Sequence, residues 1–356
     1  MAAWARTATA TSMRTRPAMS EMLAATGLVD HERIEAAAER LRGVIVETPL
    51  LAAPWLDELL GGEVRLKCEN LQRAGAFKIR GAYNAIASLD EAGRARGVIA
   101  YSSGNHAQGV ALAARLFGVR AIVVMPTTAP RVKMDGARRL GAEVVLEGTT
   151  SVERQHRAES IAAQQGLTII PAFEDPDIIA GQGTVGMEIV AAWPEVETVL
   201  VPIGGGGLIS GIAAWIRHAH PHCRVIGVEP ERADAMKRSV AAGHPVTIEA
   251  RGTIADGLMP VRPGDLTFAH VRALVHDIVT VSDDAIADAT MRLLRQGKLV
   301  VEFSGAATVA AMLAGAFDAR GGRTAAVLSG GNLDAARALE LLDATGADEP
   351  PLMPAV

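Results

Sequence analysis

Short apolar runs and longer amphipathic segments alternate along the chain from about residue 97. The apolar runs are rich in Val and Ile, and four of them occupy residues 98–103, 120–126, 142–148 and 198–203. A segment with helical spacing of its apolar positions follows each run, as HAQGVALAARLFG follows the first. The pattern predicts strands that are joined by helices.

The predicted strands are apolar throughout instead of alternating with polar residues, which is typical of strands covered on both faces. Strand–helix–strand succession favours parallel sheets with right-handed crossovers, and therefore an α/β fold. The chain shows no internal repeat and no low-complexity linker, so the domain division has to come from topology. Residues 251–268 form the longest irregular stretch, and we interpret it as an active-site or interface loop.

The composition narrows the class of protein. A chain of 356 residues favours two domains, and 49% hydrophobic with 21% charged residues is typical of a globular protein. A net charge of −5 gives no electrostatic reason to expect nucleic acid or an anionic membrane as partner. No apolar run reaches the ~18–20 residues that a membrane span needs. Cys68 and Cys223 lie far apart without metal-ligand spacing, which indicates reduced cysteines in a cytoplasmic protein.

The first 28 residues are unlike the rest of the chain. They are rich in Arg, Thr and Ala and contain no acidic residue before Glu21. This composition resembles a transit peptide, but the apolar segment of a secretory signal is missing. We expect residues 1–28 to be a flexible extension or an over-long start, because Met13, Met19 and Met22 could each begin the chain.

Lysine is rare in this chain. Only five of the 35 basic residues are lysines: Lys67, Lys78, Lys133, Lys237 and Lys298. Lys78 stands between Phe77 and Ile79, where a primary amine could have a chemical role that arginine cannot fill. The alternative, a solvated lysine on a helix, stays open on residue type alone.

Four consecutive glycines follow the predicted strand TVLVPI, in the stretch from Ile203 to Gly211. Glycines before a helix let the backbone approach an anion, and the N–H groups and dipole of the helix N-terminus attract it. The stretch predicts a phosphate site. It lacks the Lys-Ser/Thr of a P-loop and the glycine spacing of a dinucleotide fingerprint, although Glu229 keeps the dinucleotide interpretation open.

Two further segments follow predicted strands. SSGNHAQG, from Ser102 to Gly109, gathers hydroxyl, amide and imidazole groups at a helix N-terminus, which favours a carboxylate; ordinary helix capping is the alternative. LSGGNLD, from Leu328 to Asp334, is a weaker signal of the same kind. A phosphate site, a carboxylate site and a singular lysine together favour pyridoxal phosphate chemistry on an amino acid. A non-catalytic protein that binds a phosphate ligand is the alternative, but it would have no need of Lys78.

Six segments in order carry a family resemblance: KCENLQRAGAFKIRGAYNAI, SSGNHAQGVALAARL, IAGQGTVGMEI, VPIGGGGLISGIA, TIADG and LSGGN. They resemble the successive motifs of the serine/threonine dehydratases, fold type II pyridoxal-phosphate enzymes whose family includes serine racemase. The match runs from Ile34 to Asn332. The resemblance implies a two-domain, tryptophan synthase β-like fold with parallel sheets flanked by helices. The large domain would comprise residues 29–92 plus 176–346 and the small domain 96–174, with the cofactor between them.

The resemblance also implies roles for individual residues. Lys78 would be the cofactor's Schiff-base lysine and the proton-transfer base, and Ser103 could be a second acid/base on the opposite face. The cofactor would be held by Phe77, Lys78, Asn105, Gly204, Gly205, Gly206, Gly207, Leu208 and Ser329. Within that set Asn105 would meet the cofactor's 3′-oxygen, the glycines and Leu208 its phosphate, and Ser329 its pyridine nitrogen. The substrate carboxylate would be bound by Ser102, Ser103, Asn105, His106 and Arg154.

By the same resemblance the reaction is deamination of L-threonine or L-serine to a 2-oxo acid and ammonia. Serine racemisation, or dehydration of another β-hydroxy amino acid such as hydroxyaspartate, stays open. The family pattern implies a homodimer or homotetramer. The chain ends about 24 residues after LSGGN, so we expect no C-terminal regulatory domain.

The sequence departs from the family pattern at three positions. Ala76 replaces a frequent Ser, and Phe303 replaces a usual Pro beside Glu302, at the substrate end of the pocket. Glu229 matches the first ligand of a divalent-metal site, but Ala235 stands where relatives with that site have Asp. This last departure argues against a bound Mg²⁺.

Overall fold

The computed structural model describes residues 27–102, 104–129, 131–334, 336 and 339–340. Residues 1–26 of the predicted extension lie outside this part of the chain. Leu28, which the sequence placed in the extension, is only 8% exposed and packs with Val29 in the core. The packed part of the fold therefore already includes Leu28.

The strands form two sheets. The six-stranded sheet has the order β1-β2-β10-β7-β8-β9 and the four-stranded sheet the order β5-β4-β3-β6. Their bounds are β1 Leu50–Ala52, β2 Glu63–Lys67, β3 Val98–Tyr101, β4 Ala121–Met125, β5 Glu143–Leu146, β6 Thr168–Ile169, β7 Thr198–Pro202, β8 Arg224–Pro230, β9 Asp277–Val281 and β10 Arg323–Val327. All neighbours within both sheets are parallel except β1, which runs antiparallel to β2.

Helices connect and cover these strands. Their bounds are α1 His31–Leu41, α2 Pro54–Leu60, α3 Lys78–Ser88, α4 Glu91–Arg96, α5 Asn105–Phe117, α6 Arg131–Arg139, α7 Ser151–Gln165, α8 Pro176–Ala192, α9 Gly207–Ala219, α10 Ala235–Ala242, α11 Asp265–Leu274, α12 Asp283–Arg295 and α13 Phe303–Leu313. Short 3₁₀ turns occupy Glu69–Leu71, Arg73–Gly75 and Asp256–Leu258. In the described part of the chain, no helix is long and apolar enough to cross a membrane.

The central strands of each sheet are covered on both faces, as the unbroken apolar runs predict. In β7, Val199 and Val201 pack in one core cluster and Leu200 in another, because successive side chains of a strand point to opposite faces. In β3, Val98 and Ile99 divide between two clusters in the same way. An α/β fold with parallel sheets flanked by helices is confirmed. The four-stranded sheet uses residues 98–169, inside the predicted small domain, while the domain boundaries themselves stay a prediction.

Two local expectations were wrong. Strand β5 is not covered on both faces, since it lies at a sheet edge and Leu146 is 43% exposed. The stretch 251–268 is not irregular to its end, because α11 begins at Asp265. The carboxylate of Glu174 accepts a hydrogen bond from the N–H of Leu266 at 2.7 Å, which satisfies a donor of the first turn of α11 from outside the segment.

Candidate active site

The singled-out segments lie at the carboxyl ends of parallel strands. The four glycines follow β7, Ser329 follows β10, and Ser102 follows β3 in the other sheet. In open parallel sheets, ligands bind outside these strand ends. The fold therefore gathers the motifs where a ligand site is expected.

Lys78 is the first residue of α3 and is partly buried. Its Nζ donates a hydrogen bond to the carbonyl oxygen of Ala172 at 2.9 Å and lies 5.0 Å from the centre of the Phe77 ring. Phe77 is tied to the strand end by its N–H, which donates to the carbonyl oxygen of Ser329 at 3.2 Å. The structure thus brings Lys78, Phe77 and Ser329 together.

The surroundings of Lys78 favour a neutral amine. Burial lowers the pKa of Lys78 to about 8, and the carboxylate of Glu302 offsets part of that effect. Roughly a tenth of an amine with this pKa is unprotonated at pH 7, far more than for an ordinary lysine. A partly buried amine in this state can act as a nucleophile or a base.

The four-glycine loop leaves no room for side chains. A Cβ on Gly205 would lie 2.1 Å from the ring of Phe173, and one on Gly206 would lie 2.7 Å from Cε of Met236. Gly206 also has a φ of 96°, which favours glycine. Its neighbours Gly207 and Leu208 open α9, where the first N–H groups of a helix have no partner within it. A phosphate fits such a backbone site.

Residues 172–174 link the lysine to this loop, and the sequence analysis assigned them no role. The carbonyl of Ala172 accepts from Lys78, and the ring of Phe173 packs on Gly205. Glu174 caps α11, whose Thr267 hydroxyl donates to the carbonyl oxygen of Gly205 at 2.7 Å. Three consecutive residues therefore contact the amine, the glycine loop and the helix that supports that loop.

The SSGNH segment opens α5 beside Lys78. Ser102 lies just after β3, and its hydroxyl oxygen is 3.4 Å from the N–H of Gly104. His106 is 2% exposed, and its Nε2 donates to the carbonyl oxygen of Ile170 at 2.9 Å. Burial and the charge of Lys78 lower the pKa of His106 to about 3, so the ring is neutral. Ser103 lies outside the described residues, and its roles stay predictions.

Asn105 is held by two residues to which the sequence analysis gave no role. Its Nδ2 donates to Oε1 of Glu302 at 2.5 Å, and its Oδ1 accepts from Nδ2 of Asn332 at 2.8 Å. Glu302 lies directly before α13, and Asn332 belongs to the segment that follows β10. Three segments far apart in sequence therefore meet at Asn105.

Arg154 does not join this group by any hydrogen bond in the described part of the chain. It lies in the first turn of α7, and its Nη1 donates to the carbonyl oxygen of Thr149 at 3.3 Å. Its Nε is buried and has no hydrogen-bond partner among the described residues. The predicted contact of Arg154 with a substrate carboxylate stays a prediction.

Behind Lys78 lies a buried ion network that the sequence analysis missed. Arg80, which is 0% exposed, uses its five N–H groups on two oxygens of Glu69, two oxygens of Glu188 and the hydroxyl of Thr184, at 2.5–3.0 Å. Lys67 also donates to Glu188, at 2.5 Å. The charges of two cations and two carboxylates thus balance, and these contacts fix the first turn of α3. The scarcity of lysine was a signal for Lys67 as much as for Lys78.

Glu229, which matches the first ligand of the metal site of some relatives, makes backbone contacts. The two carboxylate oxygens of fully buried Glu229 accept hydrogen bonds from the N–H groups of Met236 and Lys237, each at 2.8 Å. Among the described residues, no group of three or more His, Cys, Asp or Glu side chains could hold a metal ion. Glu229 therefore joins β8 to the first turn of α10.

A cavity of about 530 Å³ lies beside Glu302 and Phe303. It is also lined by the irregular segment, including Thr253 and Ile254, and by Asn332. The charged side chains that line it are four carboxylates and two guanidinium groups: Asp256, Asp283, Glu302, Asp334, Arg232 and Arg251. The balance of charge in this lining is negative.

Comparison with known proteins places these features in context. The family model described as pyridoxal-phosphate dependent enzyme matches residues 41–330. The L-threonine ammonia-lyase of Thermotoga maritima is 47% identical over 307 residues, which cover 86% of this chain and 76% of that protein. The L-threo-3-hydroxyaspartate ammonia-lyase of a Pseudomonas species is 42% identical, over 86% of this chain and 96% of that protein. The structure of maize serine racemase superposes with a TM-score of 0.85 at 37% identity, covering 89% of this chain and 98% of that chain.

Proposed function

Because the chain belongs to the family of pyridoxal-phosphate-dependent enzymes, we propose that it deaminates L-threonine, L-serine or both to a 2-oxo acid and ammonia. Pyridoxal phosphate is its cofactor, and the chain falls in the group of threonine dehydratases, serine racemases and hydroxyaspartate ammonia-lyases. The observation that carries the proposal is the Lys78 amine, whose pKa is lowered to about 8 and which is linked through residues 172–173 to the glycine loop.

The residues present fit this cofactor. The N–H groups of Gly204–Gly207 and Leu208 would hold its phosphate, and the Phe77 ring would pack near its own ring. Asn105 would meet its 3′-oxygen, and Ser329 its pyridine nitrogen. When bound, pyridoxal phosphate supplies an electron-accepting ring that stabilises negative charge at the substrate α-carbon. Ser329 is a neutral hydroxyl, so it cannot hold a proton on the pyridine nitrogen as a carboxylate would, which favours elimination over transamination.

Lys78 has two tasks in this reaction. As a neutral amine it would hold the cofactor covalently, and the same amine would remove the proton from the α-carbon of the substrate. The β-hydroxyl then leaves with a proton as water. Hydrolysis of the released enamine consumes one water and yields the 2-oxo acid and ammonia.

The substrate carboxylate would lie at the N-terminus of α5. The helix dipole and the N–H groups of its first turn favour an anion there, together with Ser102 and Ser103. The His106 ring donates to Ile170 and is neutral, so His106 would contribute its backbone N–H and not a charged ring. Arg154 would complete the site from α7.

The lining of the cavity beside Glu302 supports a substrate with an uncharged side chain. With the substrate side chain placed in this cavity, four carboxylates against two guanidinium groups would disfavour a second substrate carboxylate. This favours threonine or serine over hydroxyaspartate, although a hydroxyaspartate ammonia-lyase is among the relatives. Phe303 adds an apolar wall where the family pattern has Pro.

A substrate panel tests the proposal. The purified protein with pyridoxal phosphate is incubated with L-threonine, L-serine and L-threo-3-hydroxyaspartate, and the 2-oxo acid released from each is measured. We expect the largest kcat/KM for threonine or serine. A higher value for hydroxyaspartate would contradict the substrate assignment, and no 2-oxo acid from any of the three would contradict the lyase assignment.

Serine racemisation is the second candidate, favoured by the likeness to maize serine racemase. A racemase has to return a proton to the α-carbon from the face opposite Lys78, and Ser103 is our candidate for that face. We expect Ser103→Ala to keep most elimination from L-serine while removing D-serine formation. Following both products from L-serine separates the reactions, and mainly D-serine from the unaltered enzyme would make racemisation the chief function.

A further inference from the structure

A chain of directional hydrogen bonds runs through Asn332 and Asn105. Nδ2 of Asn332 donates to the carbonyl oxygen of Ala74 at 2.9 Å and to Oδ1 of Asn105 at 2.8 Å. Nδ2 of Asn105 then donates to Oε1 of Glu302 at 2.5 Å. A backbone carbonyl and an ionised carboxylate can only accept hydrogen bonds. The two ends of the chain therefore fix the direction of every bond between them.

This direction determines which way the Asn105 amide faces. If the amide turned over, its oxygen would face the Glu302 carboxylate and its NH₂ group would face the NH₂ group of Asn332. Both contacts would become repulsive, and one of the bonds lost is to a charged group. An amide nitrogen carries two N–H donors, and the bond to Glu302 uses one of them.

The backbone around the chain of bonds is shaped to admit it. Ala74 has a φ of 59°, a left-handed conformation that residues with a Cβ disfavour. A Cβ on Gly75 would lie 2.3 Å from Oδ1 of Asn332, and one on Gly330 would lie 2.4 Å from Oε1 of Glu302. Two glycines and one strained alanine thus make room for the side chains that orient Asn105.

We propose that Asn332 and Glu302 are positioning residues that present the N–H of Asn105, and not its C=O, to the 3′-oxygen of the cofactor. The inference rests on the proposed function, in which Asn105 faces that oxygen. An N–H donor stabilises the unprotonated oxygen, whereas a C=O acceptor stabilises the protonated one. The buried chain of hydrogen bonds therefore controls whether the 3′-oxygen of the cofactor carries a proton, although Asn332 and Glu302 do not touch that oxygen.

The absorbance spectrum of the bound cofactor tests this, because it reports whether the 3′-oxygen carries a proton. Asn332→Asp removes both donated bonds and lets the Asn105 amide turn. We expect the ratio of protonated to unprotonated form to rise about tenfold, the change expected from one hydrogen bond. Asn332→Ser, which is smaller and keeps one donor, should give an intermediate shift and serves if the aspartate variant folds poorly.

Two matched variants separate orientation from charge and from general loosening. Glu302→Gln keeps an acceptor oxygen and should change the ratio by less than about threefold. Asn84→Asp makes the same atomic change at a buried asparagine whose Nδ2 donates to the carbonyl oxygen of Asp177, and it should leave the spectrum unchanged.

Each remaining outcome counts against the proposal. An unchanged spectrum in both Asn332 variants overturns it, and so does an equal shift in Asn84→Asp. An equal shift in Glu302→Gln would mean that charge and not direction controls the oxygen. If the unaltered enzyme is coloured and active, each of these results overturns the positioning role and leaves the proposed function standing. If the unaltered protein takes up no cofactor, the proposed function and the positioning role are both overturned.

Discussion

Two lysines eleven positions apart lie in opposite environments. Lys67 is 1% exposed and donates to the Glu188 carboxylate at 2.5 Å and to the carbonyl oxygen of Thr48 at 2.6 Å. Among the described residues, Lys78 donates only to the carbonyl oxygen of Ala172, and its pKa is lowered to about 8. A carboxylate balances the positive charge of Lys67, whereas the amine of Lys78 lies beside an uncharged acceptor.

The difference shows how one fold separates a structural cation from a reactive amine. A directly bonded carboxylate stabilises the ammonium form, whereas a carbonyl gives it less support against the cost of leaving water. Arg80 stands two residues after Lys78 and takes both carboxylates of the network, Glu69 and Glu188, on the far side. The ion pairs therefore anchor α3 without placing a bonded carboxylate on its first residue.

Replacing Lys78 should have the largest effect. Lys78→Arg keeps the positive charge but cannot form the covalent bond to the cofactor, so colour and 2-oxo acid formation should both vanish, as in Lys78→Ala. Spectra and activity are compared with those of Lys237→Arg, an exposed lysine that should tolerate the change. More than trace activity in Lys78→Arg would show that Lys78 is not the reactive amine, and that its role does not differ from that of Lys67.

Breaking the network should mainly cost stability. Arg80→Met leaves the buried Glu69 and the part-buried Glu188 with one cation, and we expect a loss of about 3–5 kcal/mol in the free energy of unfolding. Adding Glu69→Gln restores neutrality around the Lys67–Glu188 pair and should recover part of that loss. Denaturant unfolding of the cofactor-free proteins measures both, and additive losses in the double variant would show that charge balance does not hold this region together.

Filling the glycine loop should weaken the cofactor more than the fold. Gly206→Val places a side chain against Met236 and Thr267, and we expect at least about hundredfold weaker pyridoxal phosphate binding, or about 2.7 kcal/mol. Gly243→Val is the control, because Gly243 also has a positive φ but nothing within 4 Å of a Cβ. Equal affinities in titrations of the two variants would place the phosphate elsewhere.

The smallest expected effect is a pH dependence. Only the unprotonated amine reacts, so cofactor uptake by the cofactor-free protein should accelerate about tenfold per pH unit below the pKa of about 8 and level off above it. Glu302 raises this pKa, so Glu302→Gln should move the midpoint to lower pH. Stopped-flow absorbance across the neutral range measures the midpoint, and one near the ordinary lysine pKa would contradict the environment described for Lys78.

The sequence predicted what depends on local pattern. Unbroken apolar runs indicated parallel strands covered on both faces, and the motifs that end those runs placed Asn105, Ser329 and the glycine loop at strand ends, whereas Lys78 was singled out by its residue type. The family and the cofactor followed from the order of the motifs and are confirmed. The domain boundaries, the cytoplasmic location and the homodimer or homotetramer stay predictions.

Long-range side-chain contacts could not be predicted in the same way. In the sequence, Glu69 and Arg80 look like ordinary charged residues. Their network forms because the fold brings in Glu188, more than 100 positions further on, which accepts from both Arg80 and Lys67. The role of Asn332 depends on its bond to Asn105, 227 positions away. Even the start of α11 is fixed by Glu174, 92 positions before the residue whose N–H it accepts.

The contacts of the segment from Ala172 to Glu174 restrict the length of this connection. Connecting segments usually tolerate insertions and deletions because few contacts depend on their register. Here three successive residues contact three different parts of the site, the Lys78 amine, Gly205 and the start of α11. Adding or removing a single residue would displace all three contacts together, so this connection should accept changes of side chain far more readily than any change of length.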